Sequence, residues 1–96
     1  MKGVKLFHRK KRYPDGGIIE MKIWRVAPAG DKPHGLKVSL VFIKNGERVI
    51  GYDNAEGRGY HRHYLNRVEN YDFRGVDALM ADFLKDVSDW RIKHEN

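Results

Sequence analysis

The spacing of apolar side chains changes once along this chain, and that change limits the folds open to it. Up to Tyr52 the clearest stretches alternate apolar with polar, the period of a strand that buries one face. Ile19, Met21 and Ile23 share one side, while Glu20, Lys22 and Trp24 share the other. Leu36, Val38, Leu40 and Phe42 repeat the pattern, and Val41 and Ile43 make the far end apolar on both sides. From Val76 onward the spacing is helical: Val76, Leu79, Met80, Phe83, Val87 and Trp90 form one stripe. Burying such side chains contributes roughly 1.5–3 kcal/mol each in transfer terms. Lost chain entropy offsets most of this. The helix is therefore expected to lie on the apolar face of a sheet.

Turn chemistry sets the connections. Pro14-Asp15-Gly16-Gly17 joins a first strand, Val4 to Tyr13, to a return strand, Ile18 to Val26, because proline presets one turn φ and glycine accepts the positive φ that follows. The prolines and glycines of Ala27 to Gly35 mark a loop. Asn45-Gly46 fits a type I′ hairpin between Leu36–Lys44 and Glu47–Tyr52. Within Leu65 to Phe73 a short strand is expected from Val68, Tyr71 and Phe73. Gly75 suits a helix N-cap and Asp77 the first turn; Arg91, Lys93 and His94 suit the negative end of the helix dipole. The expectation is an α+β domain: an antiparallel sheet of four to five strands with one C-terminal helix packed on a face. Residues 1–96 form one domain, with the sheet over about 4–73 and the helix over about 76–93.

Composition narrows the partners. The net charge of +6 favours an acidic partner, whether nucleic acid or protein, or else a surface charged for solubility. With no cysteine, disulfides and cysteine-bound zinc are excluded. No run is long and apolar enough for a membrane span, and the first residues lack an apolar signal segment, so a cytoplasmic protein is expected. His8-Arg9-Lys10-Lys11-Arg12 concentrates positive charge; it reads as a charged edge strand that resists sheet aggregation, or as a nucleic-acid contact.

The stretch from Gly51 to Tyr64, GYDNAEGRGYHRHY, is poorly suited to a core and well suited to a site. If His61-Arg62-His63 is extended, the histidines point one way and Arg62 the other, with Tyr60 and Tyr64; a tight loop would let all three converge. RNA cleavage through the 2′-hydroxyl needs a base, an acid and a cation near the phosphorane. His61 and His63 are candidates for the first two roles, with Arg62 and Asp53 completing the catalytic set. Arg58, with its planar fork, is a candidate phosphate contact, along with Arg9, Lys10, Lys11 and Arg12. Tyr60, Tyr64 and Trp24 are candidate stacking partners for bases. No metal or cofactor is required. Metal binding by His61 and His63 with Asp53 or His34 is the weaker reading, since a firm third ligand is missing. A structural role remains open too, with Asp53 and Asn54 capping a turn.

The chain resembles the TumE-like family, small toxins of prokaryotic toxin–antitoxin pairs. The resemblance rests on Tyr13-Pro14-Asp15-Gly16, on Ile18 to Arg25, and on Gly51-Tyr52-Asp53-Asn54 followed by Gly57-Arg58-Gly59 and His61-Arg62-His63-Tyr64. A helix bearing Leu79, Ala81-Asp82-Phe83 and Asp86-Val87 supports it. Tyr60 stands where relatives often carry an acid. The resemblance implies a toxin with a DNA-binding antitoxin partner of helix-turn-helix or winged-helix type. RNA cleavage follows from residue types alone. Two function classes therefore stay open: a toxin acting on RNA as a metal-independent endoribonuclease, and a non-catalytic basic module that binds nucleic acid or protein. A second copy of the chain, in a homodimer, is a further candidate partner.

Overall fold

The computed structural model describes residues 3–30, 32–55, 57 and 59–94. Six antiparallel strands form a single sheet in chain order: β1 (Val4–Arg12), β2 (Ile18–Arg25), β3 (Leu36–Lys44), β4 (Glu47–Asp53), β5 (His61–Tyr64) and β6 (Arg67–Asn70). One helix, α1 (Val76–His94), follows. The α+β architecture with a C-terminal helix on one face is as expected, but the sheet has six strands rather than four to five.

The additional strand comes from the His-Arg-His run itself, which pairs along β4 and then turns back through Leu65 and Asn66 into β6. Asn66 favours a turn, but the turn lacks glycine and places Leu65 at φ 55, a conformation leucine seldom adopts, so its residues did not mark it as a hairpin. The other turns follow their residues. Gly16 donates its N–H to the Tyr13 carbonyl at φ 96, and Asn45 and Gly46 take φ 55 and 78. Gly75 caps α1, its carbonyl accepting the Leu79 N–H at 3.0 Å.

The core lies between the sheet and α1. Ile19, Met21 and Ile23 of β2, Val38, Leu40 and Phe42 of β3, and Ile50 and Tyr52 of β4 meet Leu79, Phe83, Val87 and Trp90 of the helix. The helix lies over β4. The first turn is tied to the helix end, where Arg91 donates to Asp15 at 3.0 Å and stacks its guanidinium on the Tyr13 ring. All of this packing is on one side. Among the described residues no helix lies over the opposite side of the sheet.

Two irregularities change which side chains face which way. β1 carries a bulge between Lys5 and Phe7. A second bulge interrupts β3–β4: Ile43 pairs with Arg48 but Phe42 pairs with Ile50, so Val49 is the extra residue. In a regular strand Arg48 would share the face of Ile50 and Tyr52. The bulge sends it to the opposite, helix-free face instead.

Candidate functional site on the helix-free face

Strand register places one polar row across the helix-free face. His8 pairs with Lys22, Lys22 with Ser39, Ser39 with Asp53, Asp53 with His61, and His61 with Asn70. One step along the strands, Gly51 pairs with His63. His61 and His63 thus lie on the same side of the sheet, as alternation in an extended run requires.

The two rings differ in setting. His63 is gripped from both sides: its Nε2 lies 3.0 Å from Asp53 Oδ2, and Arg48 Nη2 lies 3.2 Å from its Nδ1. A guanidinium can only donate, so Nδ1 must accept from Arg48 and Nε2–H must donate to Asp53. That assigns the tautomer. Asp53 is itself held by a turn, its Oδ1 accepting the Ala55 N–H at 3.2 Å. His61 is only 8% exposed, and among the described residues none hydrogen-bonds its ring.

Arg48 reaches His63 by crossing Gly51. A Cβ built at Gly51 would come within 3.1 Å of Arg48 Cδ and 3.5 Å of its Nε. The strand therefore uses a residue without a side chain where the arginine crosses it. Arg48 was not among the sequence candidates, because regular alternation puts it on the core side. The one local sign was the apolar pair Val49-Ile50, which breaks the alternation just before Gly51.

Arg62 is not part of this cluster. It points to the helix side, where Nε donates to Asp86 Oδ2 at 2.7 Å and Nη1 to Glu69 Oε1 at 2.6 Å. The Tyr52 hydroxyl, 3.1 Å from the same Nε, donates to Asp86 at 2.6 Å. The bond to Asp86 raises the pKa of Arg62 further above its ordinary value. Burial, reinforced by the bond to Asp86, raises that of Tyr52. These groups clamp α1 to β4 and β5.

The remaining candidates divide between the two sides. Tyr60 is buried, its ring stacked on Phe73 at 4.2 Å, and burial raises the pKa of its hydroxyl. Tyr64 shares the helix side with Arg62, whose guanidinium lies 5.0 Å from its ring. Arg9 and Lys11 pair with Met21 and Ile19 and so face the helix side; Lys10 and Arg12 pair with Glu20 and Ile18 and face the helix-free side with Trp24. Arg58 lies outside the described residues. His34 packs on Phe73 at 4.6 Å, and among the described residues no three histidine or acidic side chains gather as a metal site. Asn54 is fully buried and structural: Oδ1 accepts the Val38 N–H at 2.9 Å and Nδ2 donates to the Leu36 carbonyl at 2.7 Å.

The arrangement amounts to a carboxylate–imidazole pair with an arginine at its open end and a second imidazole on the same face. Such a group can move a proton and hold an anion. A family model described as Toxin TumE matches residues 3–91, which include every strand and all of these side chains. The chain belongs to the TumE toxin family. Membership gives it a toxin's role and suggests an antitoxin partner. No curated protein and no solved structure matches it. In this TumE chain the acid beside a histidine is Asp53, reached across strands; position 60 faces Phe73 and is no place from which to orient either ring. No helix among the described residues is long and apolar enough to cross a membrane.

Proposed function

We propose that this TumE toxin acts in the cytoplasm on RNA as an endoribonuclease, with His63, Asp53, Arg48 and His61 at the cleavage site, and that an antitoxin of helix-turn-helix or winged-helix type neutralises it. The observation that carries the reading is the bracketing of His63 between Asp53 and Arg48 on a face that no helix covers. Asp53 keeps the proton on Nε2, which leaves Nδ1 as the basic nitrogen. In the free protein Arg48 occupies Nδ1. An arriving phosphate competes for the guanidinium, which binds phosphate in a fork and sits on a long flexible stem. Once Arg48 turns to the phosphate, Nδ1 is free to take the 2′-hydroxyl proton. The oxygen then attacks phosphorus, the bond to the 5′-oxygen breaks, and His61, once RNA binding uncovers its ring and in its protonated form, gives its proton to the departing oxygen. Arg48 meanwhile stabilises the charge on the phosphorane. Arg62 has no part in these steps and serves to hold the helix.

The test is growth arrest on expression together with RNA cleavage by the purified protein. His61→Ala/His63→Ala is expected to abolish both while thermal unfolding stays cooperative. Arg48→Ala is expected to lower the cleavage rate by roughly 10²-fold, the size of losing one transition-state donor. Full toxicity in the double-histidine variant would end the catalytic reading. Salt-sensitive RNA binding with the RNA left intact would favour the non-catalytic basic module.

A further inference from the structure

Trp24 lies on the helix-free face too, away from the histidines. It is half-buried on β2, opposite Lys37 of β3 and two residues from Lys22. The Lys37 ammonium lies 5.3 Å from the indole centroid and that of Lys22 5.7 Å. Among the described residues neither lysine is ion-paired to a carboxylate. Both ammonium groups lie over the ring, and their flexible stems can swing off it to phosphates as a base stacks in their place, so the group suits one nucleotide: a base for the ring and phosphates for the ammonium groups.

Two cavities bounded by described residues do not compete for this role. One, of about 510 Å³, is lined by Arg9, Lys11, Tyr13 and Leu84; another, of about 370 Å³, by Arg62, Tyr64, Asp86 and Lys93. Neither is lined by Trp24 or by His61 or His63. What the helix-free face offers is an open, cation-bearing surface, which fits a polymer laid across strands better than a small molecule.

We propose that this face takes single-stranded RNA, with one base stacked on Trp24 and the chain running across β3 and β4 to the histidines on β5. The inference rests on RNA being the ligand of this face. Three strand spacings, roughly 14 Å, separate β2 from β5, and Trp24 also lies four residues, roughly 13 Å, along the strands from the row of His63. The stacked base therefore lies a few nucleotides from the phosphate at His63. A duplex cannot make the contact, because its bases are stacked on each other and only phosphates and sugars reach a flat protein face. Lys22 lies between Trp24 and the histidines on the polar row, next to Ser39, and follows the backbone along this path.

The experiment uses the His61→Ala/His63→Ala protein, so that RNA survives, and a short mixed-sequence RNA offered single-stranded or as a duplex. Intrinsic fluorescence reports on Trp24, since Trp90, the second tryptophan, is packed between Phe42 and His94. Single-stranded RNA is expected to quench the emission, and the duplex is not. Trp24→Ala is expected to weaken single-strand binding about tenfold or more, the range for one base on an aromatic ring; Trp24→Phe keeps most of the affinity and controls for misfolding. Equal binding by Trp24→Ala, or equal quenching by the duplex, would overturn the inference. So would binding of polyglutamate but not RNA, which would assign the face to an acidic protein. Cleavage by the unmodified protein is scored separately. Quenching without cleavage leaves the stacking site and removes the catalysis; cleavage indifferent to Trp24 does the reverse.

Discussion

What an individual side chain on this sheet can touch is set by the face it occupies. Asn54 follows Asp53 in a stretch that looks wholly functional, yet it completes the β3–β4 edge by bonding both backbone groups of the opposing strand. Asn54→Ala is expected to leave the Val38 N–H and the Leu36 carbonyl unpaired. At about 1–3 kcal/mol for each orphan, the loss should be roughly 2–6 kcal/mol, read from urea unfolding. Gly51 makes the opposite case. Gly51→Ala puts a methyl against Arg48 within a regular strand, where no unusual φ is required, so the melting temperature should stay close to that of the parent. Toxicity should fall, because the arginine is lifted away from His63. If Gly51→Ala lost stability and kept toxicity, the route of Arg48 over that glycine would have no functional weight.

Among the elements, the link between α1 and the sheet is both apolar and polar. Beneath the stripe of Leu79, Phe83, Val87 and Trp90 lies the Tyr52–Asp86–Arg62 cluster, and Tyr71 donates to Asp82 on the same helix. Both tyrosines must keep their protons to donate, and burial raises both pKa values above the ordinary tyrosine value of 10.0. Above that pH the unfolded chain releases protons that the folded chain retains. The unfolded state then binds fewer protons, and stability falls as pH rises. The contribution is complete below pH 10.0 and lost as pH climbs from there towards the raised folded-state values. Each tyrosine contributes a slope of up to about 1.4 kcal/mol per pH unit. Urea unfolding at successive alkaline pH values should show this decline, and Tyr52→Phe should flatten it. A profile unchanged by Tyr52→Phe would mean that the hydroxyl does not hold the helix.

At the scale of the molecule, charge and shape act together. The chain carries a net charge of +6, and among the described residues the helix-free side of a body extending 43 × 24 × 22 Å carries Lys10, Arg12, Lys22, Lys37 and Arg48. If RNA lies there, affinity should fall linearly with salt on logarithmic axes, by about 0.7 for each phosphate contacted. Lys22→Ala should reduce that slope by about one such contact. A slope that Lys22→Ala does not change would place the RNA elsewhere.

The fold was legible wherever a rule acts over a few residues. Alternation marked β2 and β3, Asn45-Gly46 marked their hairpin neighbour, and the stripe from Val76 to Trp90 marked the helix and its buried side. The His-Arg-His run was harder, because four residues that read equally as loop or strand take their conformation from the strand they pair with. Alternation nevertheless separated Arg62 from the two histidines once that run is extended. What alternation could not supply was Arg48.

The sequence by itself determined the strands' inward faces, the tight turns and the apolar side of the helix, because each depends on spacing and φ preference among near neighbours. Only the tertiary structure decided that one bulged residue turns Arg48 towards His63, that Asp53 reaches the same ring from across a strand, and that Asp86 of the helix captures Arg62. Those contacts join residues far apart in the chain, and strand register and helix placement, set by packing over the whole core, bring them within bonding distance.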